Sequence, residues 1–416
     1  MDAEVDSARV KVLVVGSGGR EHALAWKLAQ APGLTQLHAA PGNPGIATLG
    51  DCHPVRAEDG ESLLDLARSL EVDLAVIGPE VPLVAGVADE LRHAGVAVFG
   101  PGRDAAQIEG SKSFAKDVMH AAAVPTAERL AVARPPCVVK ADGLAAGKGV
   151  FVCRTAGELD AGLRAAAAFR GGPLVIEELL EGEEVSVFGL SDGLTVVPLP
   201  PAQDFKRIGE GDSGPNTGGM GSYSPVAQLG QDELEEVMDR VHRPVIAELA
   251  RRGSPFIGLL FAGLMMTAEG PKVLEFNCRF GDPETQSILP RLRGDFLAAL
   301  TAAAAGDISG VDLTAAEEAA VTVVLAGGNY PERGDTGSAI DGVRDAEAAG
   351  ALVFHAGTAL QGEQLVTNGG RILNVTATGD TVAAARQRAY AACELISFEG
   401  MQYRRDIASA AAAATD

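Results

Sequence analysis

The stretch Lys140–Val150 reads KADGLAAGKGV and lies between two apolar runs, Cys137–Val139 and Val150–Cys153. Lys140 and Lys148 flank a turn with glycines at Gly143, Gly147 and Gly149. Glycine lets backbone N–H groups approach an anion with no Cβ in the way, and each lysine adds a point charge. The pattern predicts a hairpin that cradles phosphate. It is not a Walker loop. Only three residues separate Gly143 from Gly147, and Gly149 stands where Ser or Thr would hold magnesium. A strand follows it, not the helix such a loop would cap. Read alone, Gly-Lys-Gly between strands is equally a plain tight turn.

The rest of the 416-residue chain gives that hairpin a setting. The length accommodates two to four domains, each with its own core. Apolar residues make up 47%, which argues against disorder. The formal charge of −22 argues against a nucleic-acid partner, because a phosphate polymer would be repelled over most of the surface. An anionic ligand must then be met by local positive clusters. The five cysteines are scattered, without CxxC spacing, so neither a zinc site nor a disulfide framework is expected. Residues 1–10 are acidic and polar, and no apolar run approaches the roughly 20 residues that span a bilayer. A soluble protein of the cytoplasm is the expectation.

Outward from the hairpin, the chain divides into five segments. Residues 1–105 alternate short apolar runs (Lys11–Val15, Leu37–Ala40, Asp73–Gly78, Val96–Gly100) with helical stretches through Gln30 and at 61–70 and 83–94. That alternation predicts a doubly wound parallel sheet, with ligands at the carboxyl ends of its strands, where Gly16–Arg20 and Gly78–Glu80 fall. A connecting helix is expected within 106–123. Residues 124–190 read as a small α+β unit with strands at 137–141, 150–154, 174–178 and 184–190 and a helix at 157–168. A larger unit at 191–319 has a helix at 231–252 and strands at 257–267 and 272–277, then a helix after Pro283. The segment 320–416 is a C-terminal mixed α/β domain with strands at 320–326, 351–356 and 371–378 and a helix at 381–396. The fold class is therefore α/β and α+β, in several domains. The Ala-rich tail at 408–414 is expected to fray.

Four further stretches suggest chemistry. GSGGREHA (Gly16–Ala23) opens the first helix, and helix N-termini attract anions. Arg20 adds a bidentate phosphate partner, although an Arg20–Glu21 surface cap is the plainer alternative. Glu21 occupies the third glycine position of a dinucleotide fingerprint, which weakens an NAD reading. VIEELLEGEE (Val175–Glu184) runs from a strand into carboxylates; it is either an acidic solvated turn or a connection whose backbone holds adenine while Glu184 accepts from ribose. In KVLEFNCRFGDPETQ (Lys272–Gln286), strand alternation puts Glu275 and Asn277 on one face, opposite Leu274 and Phe276. A carboxylate and an amide oxygen aimed together suit Mg²⁺, which takes few protein oxygens and fills its shell with phosphate and water. Asp204–Gly221 (DFKRIGEGDSGPNTGGMG) is polar and glycine-rich, and a loop this long is expected to serve as a lid.

In this order, GGREHA, GPE, KADGLAAGKGV, IEE…EGEE, PNTGGMG, LEFN and RFGDPE resemble the phosphoribosylamine–glycine ligases, or glycinamide ribonucleotide synthetases, of the ATP-grasp superfamily. The likeness spans nearly the whole chain and includes VTNGGR (Val366–Arg371). It implies an ATP-grasp fold with ATP between the small and large units. Lys112, Lys140 and the loop Gly147-Lys148-Gly149 would contact phosphates. Glu177, Glu178 and Leu180 would hold adenine, Glu184 would hold ribose, and Glu275 and Asn277 would bind Mg²⁺ or Mn²⁺. Lys206, Arg207, Arg279 and Asp282 carry the catalytic expectation. Gly18, Gly19, Arg20 and Glu80, with Asp282 and Glu284, are the candidates for the phosphosugar and glycine. The substrates implied are ATP, glycine and 5-phosphoribosylamine. The enzyme is expected to be a monomer, with a dimer as the alternative, and to bind neither nucleic acid nor membrane.

The chain departs from the resembled pattern in places. Phe205 stands where the family often has His, and Ser17 replaces a common Asn. Many ATP-grasp enzymes carry a third acidic metal ligand on the strand before LEFN. Here that strand reads FAGLMM (Phe261–Met266), with no carboxylate. Three rivals are a different carboxylate–amine ligase or carboxylating purine enzyme of the same superfamily, a catalytically silent nucleotide-binding module, and an NAD-binding oxidoreductase.

Overall fold

The computed structural model describes residues 9–144, 149–169 and 173–414. Its first unit is a five-stranded sheet, parallel throughout, in the order Asp51–Cys52, Leu34–Pro41, Val10–Gly16, Leu74–Ile77, Ala97–Phe99. The unbroken apolar run at 10–15 follows from this arrangement. Leu13 and Val15 enter one core cluster while Val12 and Val14 enter another, so both sheet faces are covered. The helical stretch expected at 83–94 is two helices, Glu80–Ala85 and Val87–His93. They break at Gly86, whose φ of +95° is open to glycine and strained for other residues.

The small unit is an antiparallel sheet ordered Val150–Cys153, Cys137–Ala141, Leu174–Glu178, backed by the helix Ala156–Ala168. Thr155 and Glu158 form a capping box at that helix's start. Its core is a separate small cluster around Cys137, Val139 and Leu159. The strand expected here at 184–190 belongs elsewhere. It runs Glu183–Asp192 and pairs along its whole length with Ile257–Thr267. Both of its faces are buried, Val185 and Val187 in one core cluster and Phe188 and Leu190 in another.

That large sheet has eight antiparallel strands: Gly270–Asn277, Ile257–Thr267, Glu183–Asp192, Val196–Asp204, Gly221–Ser224, Ala319–Ala326, Arg371–Gly379 and Leu352–His355. It therefore crosses the expected boundary at 319/320 without interruption. Gly221–Ser224 pairs residue for residue with Ala320–Val323.

Two other expectations change. The helix expected at 231–252 is interrupted by a π-turn at Met238–His242. Pro244 lacks the N–H that a regular turn there would need. The tail is ordered as a helix, Ser409–Ala413, with Ala411 and Ala412 packed against the C-terminal core. No helix among the described residues is long and apolar enough to cross a membrane.

Candidate active site

A cleft of about 850 Å³ opens between the small unit and the large sheet. It is lined by Lys112, Lys140, Gly149, Glu177, Glu178, Leu180, Glu184, Lys206, Arg207, Glu275, Asn277, Arg279, Asp282 and Glu284, and by Arg20 and Glu80 from the first unit. Gly147 and Lys148 lie outside the described residues.

The cations of the cleft are held by specific partners. Lys140 sits near the end of its strand, 2.7 Å from Glu177, and donates to the Leu274 carbonyl at 2.8 Å. The other Glu177 oxygen lies 2.8 Å from Lys116, which also donates to Thr126 and Ala127. Glu177 is only 2% exposed. Its carboxylate thus bridges two ammonium groups, a role that a backbone contact to adenine did not anticipate. Burial pulls the Lys116 ammonium below its ordinary range, and Glu177 opposes the shift. Lys116 gave no sequence signal, being one lysine in an ordinary helix. Lys112, just past the Ser111 cap, donates through Nζ to the Gly143 carbonyl at 3.0 Å. The Glu178 N–H is spent on the Glu128 carbonyl and its carboxylate on the Glu128 N–H. The connection through Leu180 lines the cleft beyond that pairing.

The strand carrying the expected metal pair is bulged. Gly263 pairs with Glu275 but Leu264 pairs with Val273, so Leu274 is the extra residue. Strict alternation would have put Leu274 on the far face; instead it lines the cleft, with its carbonyl on Lys140. Burial disfavours the charged form of Glu275, but Lys206, Lys140, Lys112 and Arg279 overcome it, and its carboxyl is held below the usual range. Asp204 and Glu284 are buried in the same cleft. Burial, then repulsion from Glu284 and Glu275, pushes the Asp204 carboxyl well above its ordinary range. Carboxylates crowded to mutual repulsion beside an amide oxygen are a donor set that fits a hard divalent ion. Among the described residues no cluster of three or more His, Cys, Asp or Glu is arranged as a metal cage. Glu275 and Asn277, which line the cleft together, offer a carboxylate and an amide oxygen whose chemistry fits such an ion.

The lid stretch is structured. Arg207–Gly209 pairs with Ser213–Asn216, and the hairpin is tied to the C-terminal unit by Asp406 to the Gly211 N–H and by Arg404 to Asp212. Lys206 contacts Glu184, the expected ribose acceptor. Arg207 donates to Gly214 across its own hairpin. Phe205 lies under the Arg404 guanidinium at 5.0 Å.

At the floor, Arg279 is clamped between Glu80 at 3.3 Å and Glu109 at 3.2 Å. Glu109 also accepts the Cys278 N–H; it too was missed, for nothing near it in sequence marks it. Burial opposes ionisation of Glu80, yet Arg279 and Arg20 bring its carboxyl down to about 2. Arg20 is bound to Glu21 at 2.6 Å and to the Phe280 carbonyl at 3.1 Å, buried and not a surface cap. Glu21 also accepts the Gly18 N–H, and it fills the space beside Gly16 and Gly78. A Cβ on either glycine would come within 2.6 Å or 2.0 Å of it.

The remaining candidates separate. Asp282 pairs with Arg371 at 3.1 Å and borders a second, polar cavity of about 460 Å³, which Gly18 also lines. Gly19 borders neither space. It packs on Asn374 and Gln286, where a Cβ would lie 2.2 Å and 2.8 Å from their amide nitrogens.

Three family models cover nearly all of this architecture. The phosphoribosylglycinamide synthetase N domain matches residues 10–109, its ATP-grasp (A) domain residues 110–285 and its C domain residues 320–410. The chain belongs to the phosphoribosylglycinamide synthetase family. It is 49% identical over 421 residues to a phosphoribosylamine–glycine ligase of Streptomyces coelicolor, covering 97% of this chain and 100% of that one. The crystal structure of a phosphoribosylamine–glycine ligase from Thermotoga maritima superposes with a TM-score of 0.84 at 34% identity, over 96% of this chain and 100% of the other. The biotin carboxylase domain of a Hydrogenobacter thermophilus 2-oxoglutarate carboxylase shares the fold alone, with a TM-score of 0.69 at 17% identity over 95% and 92% of the two chains. The ATP-grasp fold expected for the synthetase family is thus the one observed.

Proposed function

We propose that the chain joins glycine to 5-phosphoribosylamine at the expense of ATP, giving glycinamide ribonucleotide, ADP and phosphate, the second step of purine biosynthesis. The observation that carries this reading is the convergence of Lys112, Lys140, Lys206, Glu275 and Asn277 on one cleft, in a chain that matches its family over almost its whole length.

A glycine carboxylate oxygen forms a bond to the γ-phosphorus as the bond to the β-phosphate oxygen breaks, leaving glycyl phosphate and ADP. The phosphoribosylamine nitrogen then attacks the glycyl carbonyl. Phosphate leaves with its bonding electrons, and the amine gives up a proton. Phosphoryl transfer needs positioning and charge neutralisation more than covalent help. Lys112, Lys140 and Lys206 supply cations at the cleft wall, and Glu177 fixes the direction of Lys140. Glu275 and Asn277 would hold Mg²⁺ or Mn²⁺, which when bound neutralises the phosphate oxygens. Lys206 and the hairpin that follows it line the cleft, where a closed lid would limit hydrolysis of the acyl phosphate. Arg279 is committed to Glu80 and Glu109, so it orients the Phe280–Glu284 turn. The reading carries with it a cytoplasmic site of action.

The test is release of ADP and phosphate with ATP, glycine and phosphoribosylamine present, omitting each in turn. Release that needs all three supports the proposal. Release that ignores glycine, or depends on bicarbonate in its place, sinks it.

A further inference from the structure

Lys206 lines the nucleotide cleft from a segment whose continuation is exposed. It lies between the strand Val196–Asp204 and the hairpin 207–216, of which residues 210–215 are open to solvent. An ammonium on a flexible stem serves phosphoryl transfer only if its backbone is placed. The placement comes from the far end of the chain. Arg404, only 2% exposed, reaches the residues on both sides of Lys206. Its guanidinium lies over the Phe205 ring at 5.0 Å and donates to the Arg207 carbonyl at 3.1 Å. The Lys206 carbonyl is held separately, by the Thr217 N–H at 2.7 Å and the Thr217 hydroxyl at 2.9 Å.

Two carboxylates set the guanidinium in turn. Asp406 accepts from Nε at 2.8 Å and from Nη2 at 2.7 Å, a bidentate grip that fixes the plane. Asp212, across the hairpin, accepts from Nη1 at 2.8 Å. Asp212 has a φ of +51°, in the left-handed region that residues other than glycine seldom adopt. The turn that returns its carboxylate to Arg404 is thus held against a backbone preference. Two more contacts tie the same pieces together: the Gly211 N–H donates to Asp406 at 2.8 Å, and the Arg405 N–H to Glu210 at 3.1 Å. Burial works against the Arg404 charge, and Asp406 and Asp212 overcome it. A planar fork with a ring, a carbonyl and two carboxylates as partners admits one orientation, which an ammonium cannot reproduce. The Lys206 ammonium then meets Glu184 and lies 3.9 Å from Asp204, both on the large sheet.

We propose that Arg404 is a positioning residue for Lys206, clamping the backbone on both sides so that the ammonium is aimed at the transferred phosphate. Arg404 does not line the cleft, so it acts through Lys206 and not on a substrate. The role rests on the ligase reading above and adds to it a contribution from the C-terminal unit.

Arg404→Lys keeps a positive charge and loses the fork. It is expected to lower kcat at least about 20-fold, with KM for glycine and for phosphoribosylamine within about threefold of the unaltered protein. Lys206→Met supplies the reference. Adding Arg404→Lys to Lys206→Met should cost less than about twofold more, because the side chain that Arg404 aims is already gone. A second full loss of about 20-fold in that background overturns the proposal, and so does a kcat for Arg404→Lys within about threefold of the unaltered protein. Arg404 is buried, so Asp406→Asn covers the case in which Arg404→Lys fails to fold. It keeps the shape, weakens the bidentate grip and should lower kcat at least about fivefold, again only where Lys206 is present. If the unaltered protein shows no glycine-dependent ADP release, the ligase reading falls. Calorimetry with a non-hydrolysable ATP analogue then decides the positioning role without turnover. Arg404→Lys and Lys206→Met should each weaken binding of the analogue, and the double variant should weaken it no further. Independent losses, or no loss in Arg404→Lys, overturn the proposal.

Discussion

Glu177→Ala tests the electrostatic arrangement beneath the nucleotide cleft. The carboxylate lies 2.8 Å from Lys116 and 2.7 Å from Lys140, and all three side chains are less than a tenth exposed. At an effective dielectric of about 20, each pair has a gross attraction of about 6 kcal/mol. Desolvation offsets much of that, and removing one partner of a buried pair costs about 3–5 kcal/mol because the other charge is left uncompensated. Here two ammonium groups are left, so the variant should lie at the upper end. The small unit has its own core cluster, so the loss should appear as faster amide exchange in the strands Cys137–Ala141 and Leu174–Glu178. Lys140 also loses the partner that aims it, and kcat/KM for ATP should fall about 100-fold. Lys116→Met removes one excess charge. Combined with Glu177→Gln it should be milder than the sum of the single changes by at least about 1 kcal/mol. Exchange protection within about 1 kcal/mol of the unaltered protein, or strict additivity, would show that the triad is not a coupled unit.

Three other outcomes are expected. Glu275→Ala should lower ATP-dependent ligation at least about 100-fold with unchanged circular dichroism; near-normal turnover removes this residue from the metal site. Glu80 is depressed from 4.5 to about 2 by Arg279 and Arg20 acting against burial. Its pairing is fully present above about pH 4.5 and is lost as the pH falls toward about 2, an upper limit of about 3 kcal/mol. Glu80→Gln should therefore differ from the unaltered protein above pH 4.5 and converge with it near pH 2; equal acid limbs in urea melts count against the pair. Gly19→Ala should destabilise the first unit by about 1–3 kcal/mol, since its Cβ would overlap buried Asn374 and Gln286. A neutral urea midpoint would contradict that packing.

Much of the cleft lining was legible because its residues sit in local patterns. Lys140 sits near the end of a strand, and Glu275 and Asn277 alternate along one, so period and glycine placement expose them. Lys116, Glu109 and Arg371 meet partners 61, 170 and 89 residues away in the chain, and local pattern carries no trace of such partners. The Leu274 bulge was hidden for a related reason: an extra residue in one strand is defined only by its neighbour's register. Glu183–Asp192 was assigned to the wrong sheet because an apolar strand records its period but not which strand it pairs with. Arg20 and Glu80 were placed correctly at the sheet's carboxyl edge, yet their charges are already matched within the protein.

The unbroken run of eight strands has a practical consequence for anyone wishing to shorten or swap parts of this chain. Severing it near residue 319 would strip Ala320–Val323 from Gly221–Ser224 and leave the raw flank of a buried strand facing water. The C-terminal segment is in that sense no appendage, and a transplant of it should carry the seam along. A product ending at 319 should clump when expressed, whereas two fragments made together should find each other through that same seam.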